Sequence, residues 1–433
     1  MKPFARLGDI LANKKSFTFI DLFAGIGGFH QALEQLGGEC VFASEIDADA
    51  KKVYELNFST PLMGVSGDII PLTEPSVSAE IPQHDVLCAG FPCQPFSKGG
   101  SQKGVNEARG TLFFNIAKVI ESRRPKIVLL ENVRNLVGPK HLDTFHRIIQ
   151  ILRDFGYLVS DNPIVLSPQN IPLNLGGRPQ SRDRLYIFAV RKDLVATRDF
   201  QDNLFWLSSK PSDDVNSWDL DTFPFAKGGS KSTKLSSDRS QAVELWKSFI
   251  DLVGKTHGER RFPGFPIWEF ALRAKPEFSS SDPEWKIDFL KKNSAFYVEN
   301  KKAIDDWRKR NSSVLKSLPL SYKKFEWQAG NLALKDTLLQ FRPSGLRFKV
   351  GSHFPALVAI NQTSYVPRLN RYLSVKEASY LQGFSDKFSF GSQSDQTSFK
   401  QLGNAVCVGV VGYVFKEGLA HYSLSVSDLS RKS

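Results

Sequence analysis

Cys93 stands in Gly90-Phe91-Pro92-Cys93-Gln94-Pro95-Phe96-Ser97, directly after the apolar run Asp85-Val86-Leu87-Cys88-Ala89. That run reads as a buried strand, and the end of such a strand is where an α/β enzyme keeps its nucleophile. Pro92 and Pro95 restrict the backbone on both sides, so the thiol is expected to project from a stiff turn. The alternative is a small apolar residue buried in that turn. Glu131 follows the run Lys126-Ile127-Val128-Leu129-Leu130. Its carboxylate therefore leaves a second buried strand at the same edge as Cys93, unless it caps the next helix. Arg182 and Arg184, in Gln180-Ser181-Arg182-Asp183-Arg184, are two residues apart on an extended chain and share a side. A thiol, a carboxylate and two cations at one sheet edge suit covalent catalysis. A metal site from His84, Cys88 and Cys93 lacks a fourth ligand at a familiar zinc spacing, so no metal is expected.

Positioning these groups requires a sheet. Short β-rich runs at Phe17–Leu22, Cys40–Glu45, Val86–Ala89, Ile127–Glu131 and Arg184–Val190 alternate with helical patterns at Gly27–Leu36, Ala48–Asn57, Leu112–Ser122 and Asp143–Phe155. This is the pattern of a mostly parallel sheet covered by helices. The first strand ends in Asp21-Leu22-Phe23-Ala24-Gly25-Ile26-Gly27-Gly28, where glycines let the chain turn sharply against a ligand. Glu45, ending the second strand, is placed to accept hydrogen bonds from a ribose. A nucleoside-containing cofactor is expected, and the glycine spacing does not match the dinucleotide fingerprint.

From about Asp193 the alternation lapses. Between Lys291 and Lys349 there are 14 Lys or Arg against 5 Asp or Glu, interleaved with Phe296, Trp307, Phe325 and Trp327. That mixture reads either as a DNA-facing surface or as a basic helix whose aromatics turn into their own core. Regular patterns resume after Arg371, with helices expected to open at Ser374-Val375-Lys376-Glu377-Ala378 and at Gln401-Leu402-Gly403-Asn404-Ala405-Val406. The 433 residues carry a formal net charge of +12, which favours a polyanionic partner. The four cysteines form no closely repeated pairs, arguing for a reducing compartment. No apolar segment reads as a signal peptide or a membrane span, and a cytoplasmic location is expected.

In wording and order, these blocks resemble the bacterial cytosine-C-5 DNA methyltransferases, over about 1–190 and 371–420. The Gly90–Ser97 octet matches their catalytic motif and Asp21–Gly28 their cofactor motif. The resemblance implies an α/β doubly wound, mostly parallel sheet of the S-adenosylmethionine-dependent (Rossmann-like) type with an inserted, mixed target-recognition domain. Residues 1–192 would be the first catalytic part, 193–370 the target-recognition domain and 371–433 the piece completing the catalytic domain. It implies that Phe23 stacks on adenine, Glu45 binds ribose, Asp68 lies near the adenine amino group and Asn404 helps close the pocket. It also puts Gly25, Ile26, Gly28, Ile46, Ile69, Pro92 and Ala405 at the cofactor, S-adenosyl-L-methionine.

The implied catalytic residues are Cys93, Glu131, Arg182 and Arg184. Cys93 adds to carbon-6 of a flipped-out cytosine so that carbon-5 becomes nucleophilic, Glu131 holds the ring nitrogen and exocyclic amine, and Arg184 steadies the same region. A free thiol titrates at about 8.5, and a cation such as Arg182 would raise its thiolate fraction. Ser97–Arg109 is the expected loop closing over DNA. The partner is double-stranded DNA, with a restriction endonuclease or other defence proteins as functional company, and the protein is expected to be a monomer without a membrane. A transfer-RNA methyltransferase of the same fold would keep Cys93 and Glu131, but generally has a smaller intervening domain. The glycine-rich Leu175-Gly176-Gly177-Arg178-Pro179 departs from many members.

Overall fold

The computed structural model describes residues 16–59, 65–74, 81–92, 112–195, 207, 218, 220–225, 233–257, 262–358 and 363–430. The chain divides into two compact units, Met1–Ser217 with Ala378–Ser433, and Trp218–Glu377. The divisions fall after 217 and 377, later than the 192 and 370 at which the sequence pattern changes.

The first unit is built on strands β1 (Phe17–Leu22), β2 (Gly38–Ser44), β3 (Val86–Gly90), β4 (Ile127–Val133), β5 (Tyr157–Leu158) and β6 (Ile164–Leu166), with the two-residue β7 (Gln180–Ser181) leading into β8 (Arg184–Arg191). Its seven-stranded sheet has the order β2-β1-β3-β4-β8-β5, with β6 also on β8. Strands β1 to β4 pair in parallel, and β8 runs antiparallel to β4, β5 and β6. All strands of the sheet except β8 therefore share one direction. Val86 to Ala89 and Ile127 to Asn132 are buried throughout, because helices cover both faces and leave no polar side to a central parallel strand. The helices are α1 (Gly28–Glu34), α2 (Ala48–Asn57), α3 (Ile69–Leu72), α4 (Leu112–Arg123) and α5 (Leu142–Asp154). In α5, Phe145, Ile148, Ile149, Ile151 and Leu152 are buried on the face turned to the core. After β1 the chain goes to β2 on one side and then to β3 on the other. This reversal opens a crevice beyond the carboxyl end of β1, where open α/β sheets bind ligands.

The chain returns to this unit after the second one. Helix Asp395–Asn404 is capped by Ser394, whose side chain accepts from the Thr397 N–H. The segment Gln401–Val406 was expected to open a helix. Its first four residues instead close this one, because Ala405 and Cys407 adopt extended backbone angles and the next helix, Val408–His421, begins two residues after Val406. Phe415 of that helix stacks on Phe17 at 5.6 Å and meets Phe188 edge-on at 6.3 Å. The stretch Asp395–His421 is long and apolar enough to cross a membrane by length and composition, contrary to the sequence expectation. It is broken into two helices and mostly buried against the sheet, which accounts for its apolar character.

The second unit carries a six-stranded sheet of Ile267–Trp268, Lys324–Gln328, Thr337–Arg342, Gly345–Val350, Tyr365–Val366 and Arg371–Tyr372, and helices Ser237–His257, Glu284–Glu299, Lys301–Arg310 and Ser312–Ser317. Phe296, Trp307, Phe325 and Trp327 are all buried in its core with Trp246, Phe249 and Phe348. Trp246 and Phe325 stack at 4.7 Å. The indole N–H groups of three of the core tryptophans find acceptors, Trp246 on the Tyr322 carbonyl, Trp307 on Ser248 Oγ and Trp327 on the Gly330 carbonyl. These aromatics therefore do not form the DNA-facing stacking surface, while Lys291, Lys292, Lys302, Lys309, Arg310 and Lys316 around them are exposed.

Candidate active site

A cavity of about 690 Å³ lies at the carboxyl ends of β1 to β4, within the usual size of ligand sites. The turn after β1 contributes Phe23, Gly25 and Ile26, and β2 leads into Glu45 and Ile46. Phe23 has φ +58°, a left-handed backbone that a bulky side chain adopts only when its surroundings impose it. Gly25 and Gly27 continue the turn at φ +55° and +88°, and a Cβ on Gly27 would come within 2.2 Å of the Phe58 ring. Glu45 is held at both oxygens: Oε2 accepts from the Gly25 N–H and Oε1 from the Asp47 N–H, each at 2.7 Å. Each oxygen retains a lone pair for a further donor. Beside it, Ile46 is 73% exposed and Ile70 48% exposed. Both line the same cavity as Phe23, so this part of its wall is apolar, as a flat heterocycle requires. Asp68 lies on the wall and caps α3 by accepting from the Ile70 N–H at 3.0 Å, with Ile69 buried beneath.

The other half of the wall carries the charges. Glu131 lies within β4, so it caps no helix, and its residue is 8% exposed. Arg184 Nε stands 3.1 Å from its Oε1. Burial pushes the Glu131 carboxyl up from the ordinary range, while Arg184 and Arg182 pull against that shift. Arg182 is 2% exposed, and its Nη2 donates to the carbonyls of Gly403 at 2.9 Å and Ala405 at 3.0 Å. Burial, reinforced by the Arg184 charge, lowers its pKa to about 10. Its guanidinium is thus engaged with the C-terminal return, a partner the sequence did not indicate. Asn132 donates from Nδ2 to the Phe91 carbonyl at 2.9 Å, tying the end of β4 to the chain just before Pro92, which lines the cavity.

Cys93 and the Ser97–Arg109 stretch lie outside the described residues. Of the other expected site residues, Phe23, Gly25, Ile26, Glu45, Ile46, Asp68, Ile69, Pro92, Glu131, Arg182, Arg184 and Asn404 all border the one cavity. Gly28 and Ala405 do not. A Cβ on Gly28 would come within 2.6 Å of Val406 Cγ2, so its smallness lets the C-terminal turn pack on α1. Ala405 is buried and contributes its carbonyl to Arg182. Sequence reasoning missed Lys400 and Gln401, which border the cavity. Lys400 Nζ sits 3.6 Å from Asp47 Oδ2; no local pattern signals a pair brought together only by the return of the chain. Asn132 was missed as well, although its place directly after Glu131 is a signal that could have found it. Of the conceivable metal ligands, Cys88 is wholly buried in β3 and His84 Nδ1 bonds the Pro82 carbonyl at 2.8 Å.

The family model for C-5 cytosine-specific DNA methylase matches residues 17–419. The chain is 35% identical to the type II methyltransferase M.AluI of Cellulosimicrobium cellulans, over 94% of this chain and 92% of that protein. It is 30% identical to M.DsaV of Dactylococcopsis salina, over 95% and 88%, and 43% identical to M.HhaI of Haemophilus parahaemolyticus over 41% and 50%. A crystal structure of a Spodoptera frugiperda DNMT2 variant aligns at a TM-score of 0.52 and 18% identity, over 93% of this chain and all of that one, and so shares the fold. With the doubly wound sheet and the cavity at its switch point, these likenesses make the chain a member of the C-5 cytosine-specific DNA methylase family, a DNA methyltransferase.

Proposed function

We propose that this enzyme transfers the methyl group of S-adenosyl-L-methionine to carbon-5 of a flipped-out cytosine in a specific double-stranded DNA sequence. Its cellular role is then modification within a restriction-modification or related defence system, as the type II names of its relatives suggest. The observation that carries the reading is the buried Glu131–Arg184 pair sharing one cavity with the Phe23–Glu45 cofactor wall.

The cofactor fits the residues present. Glu45 offers acceptors to ribose hydroxyls, Phe23, Ile46 and Ile70 flank a slot for adenine, and Asp68 supplies a carboxylate at its rim. When bound, S-adenosyl-L-methionine supplies an electrophilic methyl group on a sulfonium. Carbon-5 of cytosine is a poor nucleophile, so the Cys93 thiolate adds to carbon-6 and moves electron density to carbon-5. Glu131, its carboxyl raised by burial, holds a proton toward the ring nitrogen as negative charge develops there, and binds the exocyclic amine. Arg184 fixes the orientation of Glu131 through the 3.1 Å ion pair. After transfer, a base takes the carbon-5 proton, and the electron pair left behind re-forms the 5,6 double bond and expels the Cys93 thiolate. Neither ring carbon is reachable inside a duplex, so the base leaves the stack at a cost of a few kcal/mol that pocket contacts offset.

The test is covalent trapping together with methyl mapping. Duplex DNA carrying 5-fluorocytosine at the target should form a stable complex with the wild type and none with Cys93→Ser. Bisulfite sequencing of DNA from expressing cells should show 5-methylcytosine in one sequence context. Glu131→Gln keeps the shape without the carboxylate and should lower kcat by at least about a hundredfold. Methylation by Cys93→Ser at the wild-type rate would refute the mechanism.

A further inference from the structure

Gln382 follows the helix Val375–Leu381, contributes nothing to the cavity wall and is wholly buried. Its side-chain Nε2 donates to the Leu402 carbonyl at 2.5 Å and lies 3.5 Å from the Ala405 carbonyl. Two carbonyls on one side of the amide fix which end is nitrogen. Its main-chain carbonyl accepts from the Val408 N–H at 2.9 Å. One buried residue thus grips the break between helices Asp395–Asn404 and Val408–His421 from both ends. The second grip is Arg182, whose Nη2 bonds Gly403 and Ala405. Between the gripped carbonyls of Leu402, Gly403 and Ala405 stands Asn404, exposed into the cavity, with Gly403 beside it.

Helix ends leave carbonyls without partners, and buried carbonyls must find donors. Here the donors are the side chains of Gln382 and Arg182, so the position of Asn404 is set by residues from two other parts of the chain. Below the turn, Val406 presses on Gly28 and lies 3.6 Å from the Cβ position of Gly90, which leaves the turn little room to settle elsewhere.

We propose that Gln382 is a positioning residue for the cofactor half of the site, acting through the Leu402–Ala405 turn in concert with Arg182. Because Arg182 is two residues from Arg184, which pairs with Glu131, the same turn joins the cofactor wall to the base-binding wall. The inference rests on the cavity being the S-adenosyl-L-methionine site.

Calorimetry with S-adenosyl-L-homocysteine tests it on the full-length protein. Gln382→Met conserves volume and removes the donor. It should weaken binding about tenfold, the loss of a buried hydrogen bond and the looser turn together. KM for S-adenosyl-L-methionine should rise in parallel, kcat at saturating cofactor should stay within about twofold, and affinity for duplex DNA should be unchanged. A folded Gln382→Met protein with wild-type affinity for S-adenosyl-L-homocysteine overturns the proposal, and so does an equal loss of DNA affinity. If that variant does not fold, hydrogen exchange on the wild type decides. Addition of S-adenosyl-L-homocysteine should slow exchange at both 402–408 and 379–384, and protection confined to the cavity wall overturns the proposal. Failure of the wild type to bind S-adenosyl-L-homocysteine at all overturns the cofactor reading and the clamp with it.

Discussion

Glu45 is organised before any ligand arrives: two backbone N–H groups hold its carboxylate, one from the glycine turn and one from the start of α2. In the proposed reading, Glu45→Ala removes a ribose acceptor, and it releases the turn that carries Phe23. Calorimetry should show cofactor affinity falling by at least about tenfold for Glu45→Ala, and by several-fold for Phe23→Ala, which removes only the stacking face. A variant binding as tightly as wild type would show that its residue does not touch the cofactor. A second residue sets an acid limit. His84 is buried, its Nδ1 is spent on the Pro82 carbonyl, and its Nε2 meets no partner among the described residues. Burial lowers its pKa from 6.5 to about 4. The unfolded chain takes up this proton below about pH 6.5 while the folded one refuses it until about pH 4, so stability falls as pH drops through that window. Urea unfolding should show about 2 kcal/mol lost between pH 7 and pH 5 through this group. His84→Gln should show a correspondingly flatter pH dependence.

Among the elements, the helix Val408–His421 shows most plainly what the glycines do. Its Gly409 lies against Gly176, where φ is +103°, and a Cβ on Gly409 would stand 1.9 Å from the Gly176 carbonyl oxygen. The glycine-rich Leu175–Pro179 stretch thus has a structural purpose: it lets the segment entering β7 touch the first turn of the returning helix, backbone to backbone. Arg178 completes the contact, its guanidinium 4.8 Å from the Tyr380 ring centroid and its Nε on the Tyr380 carbonyl. Gly409→Ala should destabilise the protein by about 2–3 kcal/mol, read as a lowered melting temperature. Gly412, in the same helix, has nothing among the described residues within 4 Å of its Cβ position. Gly412→Ala should instead stabilise by up to about 1 kcal/mol, from helix propensity alone. Equal effects at the two positions would rule out the close approach as the cause.

At the scale of the molecule, two units divide the labour in the proposed reading. The first carries every described residue of the cavity, and Trp218–Glu377 carries the exposed lysines and arginines of 291–349. With Phe296, Trp307, Phe325 and Trp327 committed to the core, contact of the exposed lysines and arginines of 291–349 with DNA would be electrostatic in its non-specific part. Binding affinity should fall steeply with salt, whereas only side chains reaching base edges should alter the sequence methylated. A chimera with another family member's middle segment should methylate the donor's site while keeping Cys93, Glu131 and Asn404 from this chain. A folded, active chimera that retained the original site would locate recognition elsewhere.

The sequence by itself determined what is written in local order: β1, α2, β3 and β4 as elements, the glycine turn, Glu45 directly after the second strand and Glu131 late in the fourth. Those features follow from side-chain periodicity and from the few residues that tolerate a sharp turn, which act over a handful of neighbours. Family resemblance added Phe23, Asp68 and Asn404, and all of them border the cavity. Only the tertiary structure decided how Arg182 is used, why Gly28 and Gly176 are glycine, that Gln382 grips the Asn404 turn, and that Trp307 and Trp327 face inward. Each depends on chain segments far apart in sequence, and their contacts form only when buried carbonyls and apolar surfaces find partners in the assembled core.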